Sequence, residues 1–517
     1  MASEREIVVV GLGPGRWEDL TLEARDVLER APLVIFRTLR HPTVDTLRTR
    51  RPDLAGESFD DLYERAGSFA ELYPTMTARL FERARAQAEE QPDGQAVVYA
   101  VPGHPLIAEE SVRRLRAEAP AHGVAVRIVA GLSFVEPVCE ALAVDPLERG
   151  MQLADATLLA DTPSAAVMGA LLPTHPALIA QAYNRRLLSG VKLALLEIYP
   201  DDWEVAVVRW AGMPGEQVVE RVPLAALDHG ERADHLTTIY VPALDPLRAA
   251  RAPEGLRYVT WRLRAPDGCP WDREQTHQSL RKYVLEEAYE VAEVLDEWDG
   301  SAEVAEKLAE ELGDLLLQVY LQAEIADQED LFHIGDVYQA ITEKLIRRHP
   351  HVFGEVEVRD AAHVVRNWEV IKQAERAAKG EDVRVESALR GVPKSAPALY
   401  QAHELVKKAA KEGFAWPDAA GAAEKVAEEA RELVAARADG TDAERAAELG
   451  DVLFTVAALA WYLHIEPEEA LRAANGRFRR RFEALEARAR REGRALEGVS
   501  LDEWLAWWAA AKAGGGD

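Results

Sequence analysis

The stretch VLEEAYEVAEVL, residues 284–295, sets three glutamates into an otherwise apolar helical pattern. Glu287, Glu290, Val291 and Val294 stand at i, i+3, i+4 and i+7, so two carboxylates share a helix face with two valines. Burying charge in that way is costly unless it is paired or metal-bound. The next helical run, LAEELGDLLLQVYLQAEI from Leu308, carries Glu311 and Asp314 at i and i+3 inside another apolar stretch. Two such helices side by side would offer four hard oxygen ligands, the set that Mg²⁺ or Mn²⁺ takes.

A solvated face is the ordinary reading of an acidic run. An internal repeat argues against it here. AEKVAEEARELVAA (423–436) and AAELGDVLFTVAALA (446–460) restate the pattern, with Glu428, Glu429 and Glu432 in E-E-x-x-E and Glu448 and Asp451 in E-L-G-D. The connection between the two arrays is shorter in the second copy, but the order and the spacing within each array are kept.

The chain changes character near residue 250. Before it, short runs such as EIVVVG (6–11), AVVYAVPG (96–103), VAVRIVAG (124–131), VKLALLEIY (191–199) and TTIYVP (237–242) alternate with helical segments. That alternation predicts an α/β half with these runs as its strands. After PLRAARAPEG the strands nearly vanish, and residues 258–517 are rich in Ala, Glu, Leu and Arg at helical spacing, which predicts helical bundles. The expected division is an α/β domain over 1–246, a linker at 247–257, and two helical units at 258–385 and 386–517.

The 517 residues leave room for several domains, each with its own core. The balance of 61 basic against 89 acidic residues gives a net charge of −28, which excludes a surface for coating nucleic acid. Two cysteines, Cys139 and Cys269, are too few for a disulfide framework or a thiolate metal site. With no basic, apolar leader and no run of about 18 apolar residues, a cytoplasmic protein with no membrane partner is expected.

CPWDREQTH (269–277), LEEAYEV (285–291), EELGDLL (310–316) and RRHPHVF (347–353) stand in order in the first helical unit. GFAWPD (413–418), EEARE (428–432), ELGDVLF (448–454) and ANGRFRRRFE (474–483) follow in the second. Together they resemble the MazG family, all-α nucleoside triphosphate pyrophosphohydrolases with tandem MazG domains. The resemblance implies a hydrolase acting on phosphoric anhydrides: Mg²⁺, or Mn²⁺, on the carboxylates, water attacking the α-phosphorus of a nucleoside triphosphate, and the monophosphate and pyrophosphate as products. Carried over by position, it makes Glu287, Glu290, Glu311 and Asp314 the metal ligands of the first unit, and Glu429, Glu432, Glu448 and Asp451 those of the second. Glu286 and Glu428 take the catalytic place, as an additional ligand or as the base that orients water.

A triphosphate approaching an acidic cage needs cations beside it. Lys307, Arg347 and Arg348 are the candidates of the first unit. Asn475, Arg477, Arg480 and Arg481 on one helix, with Trp508 and Lys512 at i, i+4, are those of the second; core packing is the competing reading of Trp508. Lys307 lies four residues before Glu311, but Glu444 holds the corresponding place before Glu448. The second unit keeps more of the nucleotide-contacting residues, so turnover is expected there, with the first left open. Apolar faces on two sides of the long helices imply a homodimer or higher homo-oligomer, as the family forms.

In the first half, GLGPG (11–15), PGHPLIAEE (102–110), AGLSFVEP (130–137) and HLTTIYVP (235–242) resemble the tetrapyrrole methylases, which bind S-adenosylmethionine between two α/β subdomains. The resemblance implies cofactor contacts at Pro14, Gly103, His104, Ser133 and Thr237. The family's G-D-P is Gly103-His104-Pro105 here, which leaves open whether the half is an active methylase or a degenerate one. The competing reading of the whole chain is a methyltransferase with its helical half as a dimerising or regulatory module. A ferritin-like di-iron bundle would need Glu-x-x-His pairs, which neither unit has.

Overall fold

Residues 7 to 10 of the first strand alternate between two cores, and that alternation sets the architecture of the α/β half. Ile7 and Val9 pack with Ile35 and Tyr99 on one face, Val8 and Val10 with Val34, Phe36 and Ala100 on the other. Burial on both faces is what makes a parallel strand read as an uninterrupted apolar run. The computed structural model describes residues 5–65, 69–90, 96–161, 171–378 and 387–514.

The strands β1 (Arg5–Gly11), β2 (Leu33–Phe36), β3 (Ala55–Ser58), β4 (Val97–Val101) and β5 (Val124–Val129) form an all-parallel sheet in the order β3-β2-β4-β1-β5. A second, mixed sheet holds β6 (Gln152–Asp155), β7 (Ala177–Ala180), β8 (Glu204–Arg209), β9 (Val218–Pro223) and β10 (Thr237–Val241) in the order β6-β7-β10-β8-β9. The α/β half is thus two subdomains. The expected strands at 6–11, 96–103, 124–131 and 237–242 are β1, β4, β5 and β10.

VKLALLEIY (191–199) is a correction. It belongs to the helix Arg185–Leu196, started by Asn184, whose side chain accepts the N–H of Leu187. The cap and the helical spacing of the buried Leu188, Val191 and Leu195 outweigh one β-branched residue. The other face of the second sheet packs Leu178, Ala206 and Val208 against Val138, Cys139 and Leu142 of the helix Val135–Leu142.

Beyond Val241 there are no strands among the described residues. The longer helices are α1 (Pro253–Arg264), α2 (His277–Asp296), α3 (Ala302–Gln328), α4 (Ile334–Arg348), α5 (Ala361–Ala378), α6 (Ala398–Lys411), α7 (Ala419–Asp439), α8 (Asp442–Tyr462), α9 (Pro467–Arg491) and α10 (Leu501–Gly514), with short turns of helix at Pro270–Glu274 and Pro350–Phe353. Helix α2 opens on a capping box between Thr276 and Ser279, and Ser301 caps α3. The two pack through Leu280, Leu321 and Ile325, while Leu256 of α1 joins Tyr320, Ala323 and Ile334. In the second helical unit Asp418 caps α7, a Thr441–Glu444 box opens α8, and Leu485, Ala489 and Trp507 join α9 to α10.

The chain forms two compact units, Met1–Ile341 and Thr342–Asp517. The helical half is less enclosed than its apolar content implies. Leu285 and Tyr289 of α2, Leu312 and Leu316 of α3, and Leu449 and Leu453 of α8 are all exposed. Among the described residues no single helix is long and apolar enough to cross a membrane.

The C-terminal ends of β1, β4 and β5 meet backbone to backbone. A Cβ on Gly131 would lie 2.5 Å from the Gly103 carbonyl oxygen, and one on Gly11 would lie 2.6 Å from the same atom. Gly131→Ala is therefore expected to cost about 1–3 kcal/mol through forced backbone shifts, read as a lower denaturation midpoint. Gly123→Ala, where a Cβ meets nothing within 4 Å but φ is +61°, is expected to cost less, about 1 kcal/mol.

Candidate functional site

Glu287 and Glu290 come from adjacent turns of α2 and meet Glu311 from α3, each offering an oxygen within 4.8 Å of the others. Glu429 and Glu432 of α7 meet Glu448 of α8 within the same limit. The repeat in the sequence is thus a repeat in space. Asp314 lies close enough for its charge to act on Glu287 and Glu311, but it is outside the three-oxygen group, as is Asp451. Glu286 is exposed and adds its charge to the Glu287 site.

Like charges held this close resist ionisation. Burial, a hydrogen bond with Glu290 and the charges of Asp314, Glu290 and Glu286 push the Glu287 carboxyl up to about 7. Burial and the neighbouring Glu290 and Asp314 raise Glu311 as well. In the second cluster burial and Glu429 raise Glu432. Glu429 is buried, and Lys425 lies 2.7 Å from it and 2.9 Å from Glu428. Three carboxylate oxygens with little cationic compensation suit a hard divalent cation, so the first donor set fits Mg²⁺ or Mn²⁺; the second has the same oxygens with one lysine among them.

The predicted basic residues are placed differently. Arg347 and Arg348 of α4 both grip Glu375 of α5, each at 2.7 Å, and hold its carboxyl down to about 2. Lys307 pairs with Glu303 at 3.6 Å on the exposed side of α3. Glu444 closes the capping box on Thr441, because α8 begins later in the repeat frame than α3 does. That explains why the place of Lys307 holds an acid in the second unit. Asn475, Arg477, Arg480 and Arg481 lie on α9, with Arg481 5.9 Å from the ring of Trp508 and Phe478 5.1 Å from it. Trp508 is half-buried beside the fully packed Trp507, so it belongs to the edge of a core cluster; Lys512 is exposed on the same helix.

In the α/β half the three glycine loops converge. Gly13 and Gly103 exchange backbone hydrogen bonds of 3.2 and 2.9 Å, next to Pro14. Gly103, at φ +64°, would point a Cβ into open space beside the Leu132 carbonyl, a cradle that favours backbone approach to a ligand. His104 fills the acceptor role expected of an aspartate there, its Nδ1 taking the Leu106 N–H at 3.1 Å. Ser133 is buried, and both its N–H and its hydroxyl bond Glu136. Thr237, also buried, takes the Asp234 N–H at 2.8 Å.

A cavity of about 1280 Å³ adjoins this loop, lined by Tyr73, Glu109, Arg116, Arg185 and Arg186 among others. Its floor joins the subdomains through a 3.3 Å hydrogen bond from Gln181 to the Ala108 carbonyl, and both residues hold positive φ. Glu109 is buried against Arg37 at 2.9 Å. The sequence pattern does not single these residues out, except that Arg185 and Arg186 open a helix whose dipole disfavours cations.

The raised Glu287 carboxyl has a sign that can be checked. With a folded value near 7 against an ordinary 4.5, the native chain holds a proton that the unfolded chain has lost. In metal-free protein the contribution of this carboxyl to stability should be complete below about pH 4.5 and be lost as pH rises through 7. Glu287→Gln should flatten that slope in thermal melts and raise the melting temperature at pH 8.

Residues 6–228 match the tetrapyrrole (corrin/porphyrin) methylases, residues 275–353 the MazG nucleotide pyrophosphohydrolase domain, and residues 399–477 phosphoribosyl-ATP pyrophosphohydrolase. Over 261 residues, 50% of this chain and 96% of the relative, the sequence is 39% identical to the nucleoside triphosphate pyrophosphohydrolase/pyrophosphatase MazG of Thermotoga maritima. Identity is again 39% over 257 residues, 49% of this chain and 94% of the relative, with the nucleoside triphosphate pyrophosphohydrolase of Escherichia coli K12. With YabN of Bacillus subtilis it is 40% over 510 residues, 98% of either chain. Two helical carboxylate units behind two α/β subdomains, matched end to end in this way, mean that the chain belongs to the MazG family in its fusion with a tetrapyrrole methylase domain.

Proposed function

We propose that this protein hydrolyses nucleoside triphosphates, ribo or deoxyribo, to the monophosphate and pyrophosphate. The observation that carries the reading is the twice-built group of three carboxylate oxygens within 4.8 Å, each drawn from two helices. The names of the Thermotoga maritima and Escherichia coli relatives, which span both helical units, support the same activity.

Glu287, Glu290 and Glu311 would hold Mg²⁺ in the first unit, with Asp314 alongside, and Glu429, Glu432 and Glu448 in the second, with Asp451 alongside. Bound there, the cation supplies Lewis-acid polarisation and charge neutralisation of the phosphate chain. Glu286 and Glu428 orient the water that attacks the α-phosphorus as pyrophosphate leaves. Arg477, Arg480, Arg481 and Lys512 offset the charge of the triphosphate, and Trp508 with Phe478 offers an aromatic edge to the base. Arg347 and Arg348 are engaged by Glu375, which favours turnover in the second unit. The exposed Leu312, Leu316, Leu449 and Leu453 support a homodimeric assembly.

For the α/β half the reading is S-adenosylmethionine at the converging glycine loops and a methyl acceptor in the adjoining cavity, where Arg116, Arg185 and Arg186 stand among carboxylates such as Glu109 and Asp155. Gly103 and the Leu106 cap by His104 support it, because the substituted loop keeps its shape. His104→Asp should retain cofactor binding in calorimetry, whereas Gly103→Val should abolish it.

Pyrophosphate release with Mg²⁺ from the intact protein, Glu287→Gln, Glu429→Gln and the double variant tests the main reading. Glu429→Gln is expected to lower the rate by at least a hundredfold and Glu287→Gln by much less. Full activity in the double variant would overturn the assignment of both clusters.

A further inference from the structure

The two carboxylate clusters are built on the same frame but differ in what stands beside them. Aligned on the repeat, YVLEEAYE (283–290) meets KVAEEARE (425–432), so Lys425 takes the place of Tyr283. In the first unit Tyr283 packs its ring toward Trp271 and into the contact with Leu280, Lys282 lies 4.4 Å from the centre of that ring, and among the described residues no ion pair to Glu287, Glu290 or Glu311 is seen. In the second, the Lys425 ammonium sits 2.7 Å from Glu429 and 2.9 Å from Glu428, one turn below on the same helix.

Glu429 is also a member of the three-oxygen group with Glu432 and Glu448. The oxygen that Lys425 grips is on a side chain that a divalent cation would need, and Glu429 is nearly inaccessible, with 7% of its surface exposed. A buried carboxylate has few directions in which to offer a second lone pair. We infer that Lys425 is a built-in counter-ion of the second cluster, which a divalent cation has to displace from Glu429, whereas the first cluster is open to a cation as it stands. The chain therefore carries one standing cation site and one guarded site. This rests on the reading of both clusters as cation sites.

The guard is a positioning element. It offsets the charge of Glu429 and Glu428 while no cation is present, and it lowers the affinity for one. The place of Lys307, by contrast, puts its ammonium on Glu303, away from the first group. At this register position the first cluster has a tyrosine where the second has a lysine; Tyr289 against Arg431, inside the E-E-x-x-E array, is a further difference.

The test is Mn²⁺ binding to the full-length, nucleotide-free protein, read from the loss of the free-ion electron paramagnetic resonance signal. Glu287→Gln with Glu290→Gln leaves the second cluster alone, and Glu429→Gln with Glu432→Gln leaves the first. The first cluster alone is expected to bind Mn²⁺ at least tenfold more tightly than the second. Adding Lys425→Met to the chain that keeps the second cluster should tighten binding about tenfold, and Lys425→Arg should leave it weak. Equal affinities at the two clusters, or no gain with Lys425→Met in a protein of unchanged helicity, would overturn the inference while leaving the sites themselves in place. Absence of Mn²⁺ binding at either cluster would remove the cation reading and the guard together.

Discussion

Like charges can be held together only by a frame stiffer than their repulsion, and the helical half is organised around that constraint. Three carboxylates from two helices stay within 4.8 Å because their helices are fixed at the ends and along the seam. Thr276 and Ser301 fix the starts of the first pair, and Leu280, Leu321 and Ile325 lock the seam, each contributing about 1.5–3 kcal/mol of burial. Burial, with the repulsion that remains, appears as the raised carboxyls of Glu287 and Glu311. A looser frame would let the glutamates swing to solvent, and the clusters would be ordinary helix surface.

The α/β half meets a different constraint, the close approach of three backbones. Gly11 and Gly131 stand where side chains would collide with the Gly103 carbonyl, and Gly103 holds a positive φ, so three strand ends can converge and the loops after them face one place. Ligands of open α/β sheets bind at such carboxyl ends. The side chains around it are committed to holding shape: Ser133 to Glu136, Thr237 to Asp234, His104 to the Leu106 N–H. What is left to meet a ligand is mainly backbone.

Much of this was legible in the residues. The glutamate spacing specified which side chains would share a face, and the second copy supplied the pairing of helices that one copy leaves open. β1, β4, β5 and β10 could be read because both of their faces, or their β-branched content, mark them. The run at 191–199 misled because a helix buried along one side and a short apolar strand look alike over nine residues, and the deciding cap at Asn184 lies outside the run. Partners were the hardest part. Lys425 stands at i, i+4 from Glu429, a spacing that reads as a solvated helix pair. Glu375 belongs to another helix than the arginines it grips, and nothing local announces it. Glu444 departed from the repeat because it closes the capping box of a helix that starts later in the repeat frame.

Cys139 sits in the core between the second sheet and the helix Val135–Leu142, and burial pushes its thiol up; Cys269 stands half-open at the start of a short helical turn. The sequence holds no other cysteine. The second subdomain and the helical part of the first compact unit therefore carry one thiol each. Alkylation at Cys269 is expected in the native fold, while alkylation at Cys139 has to wait for the second subdomain to open, so the slower rate reports that opening with Cys269 as its reference.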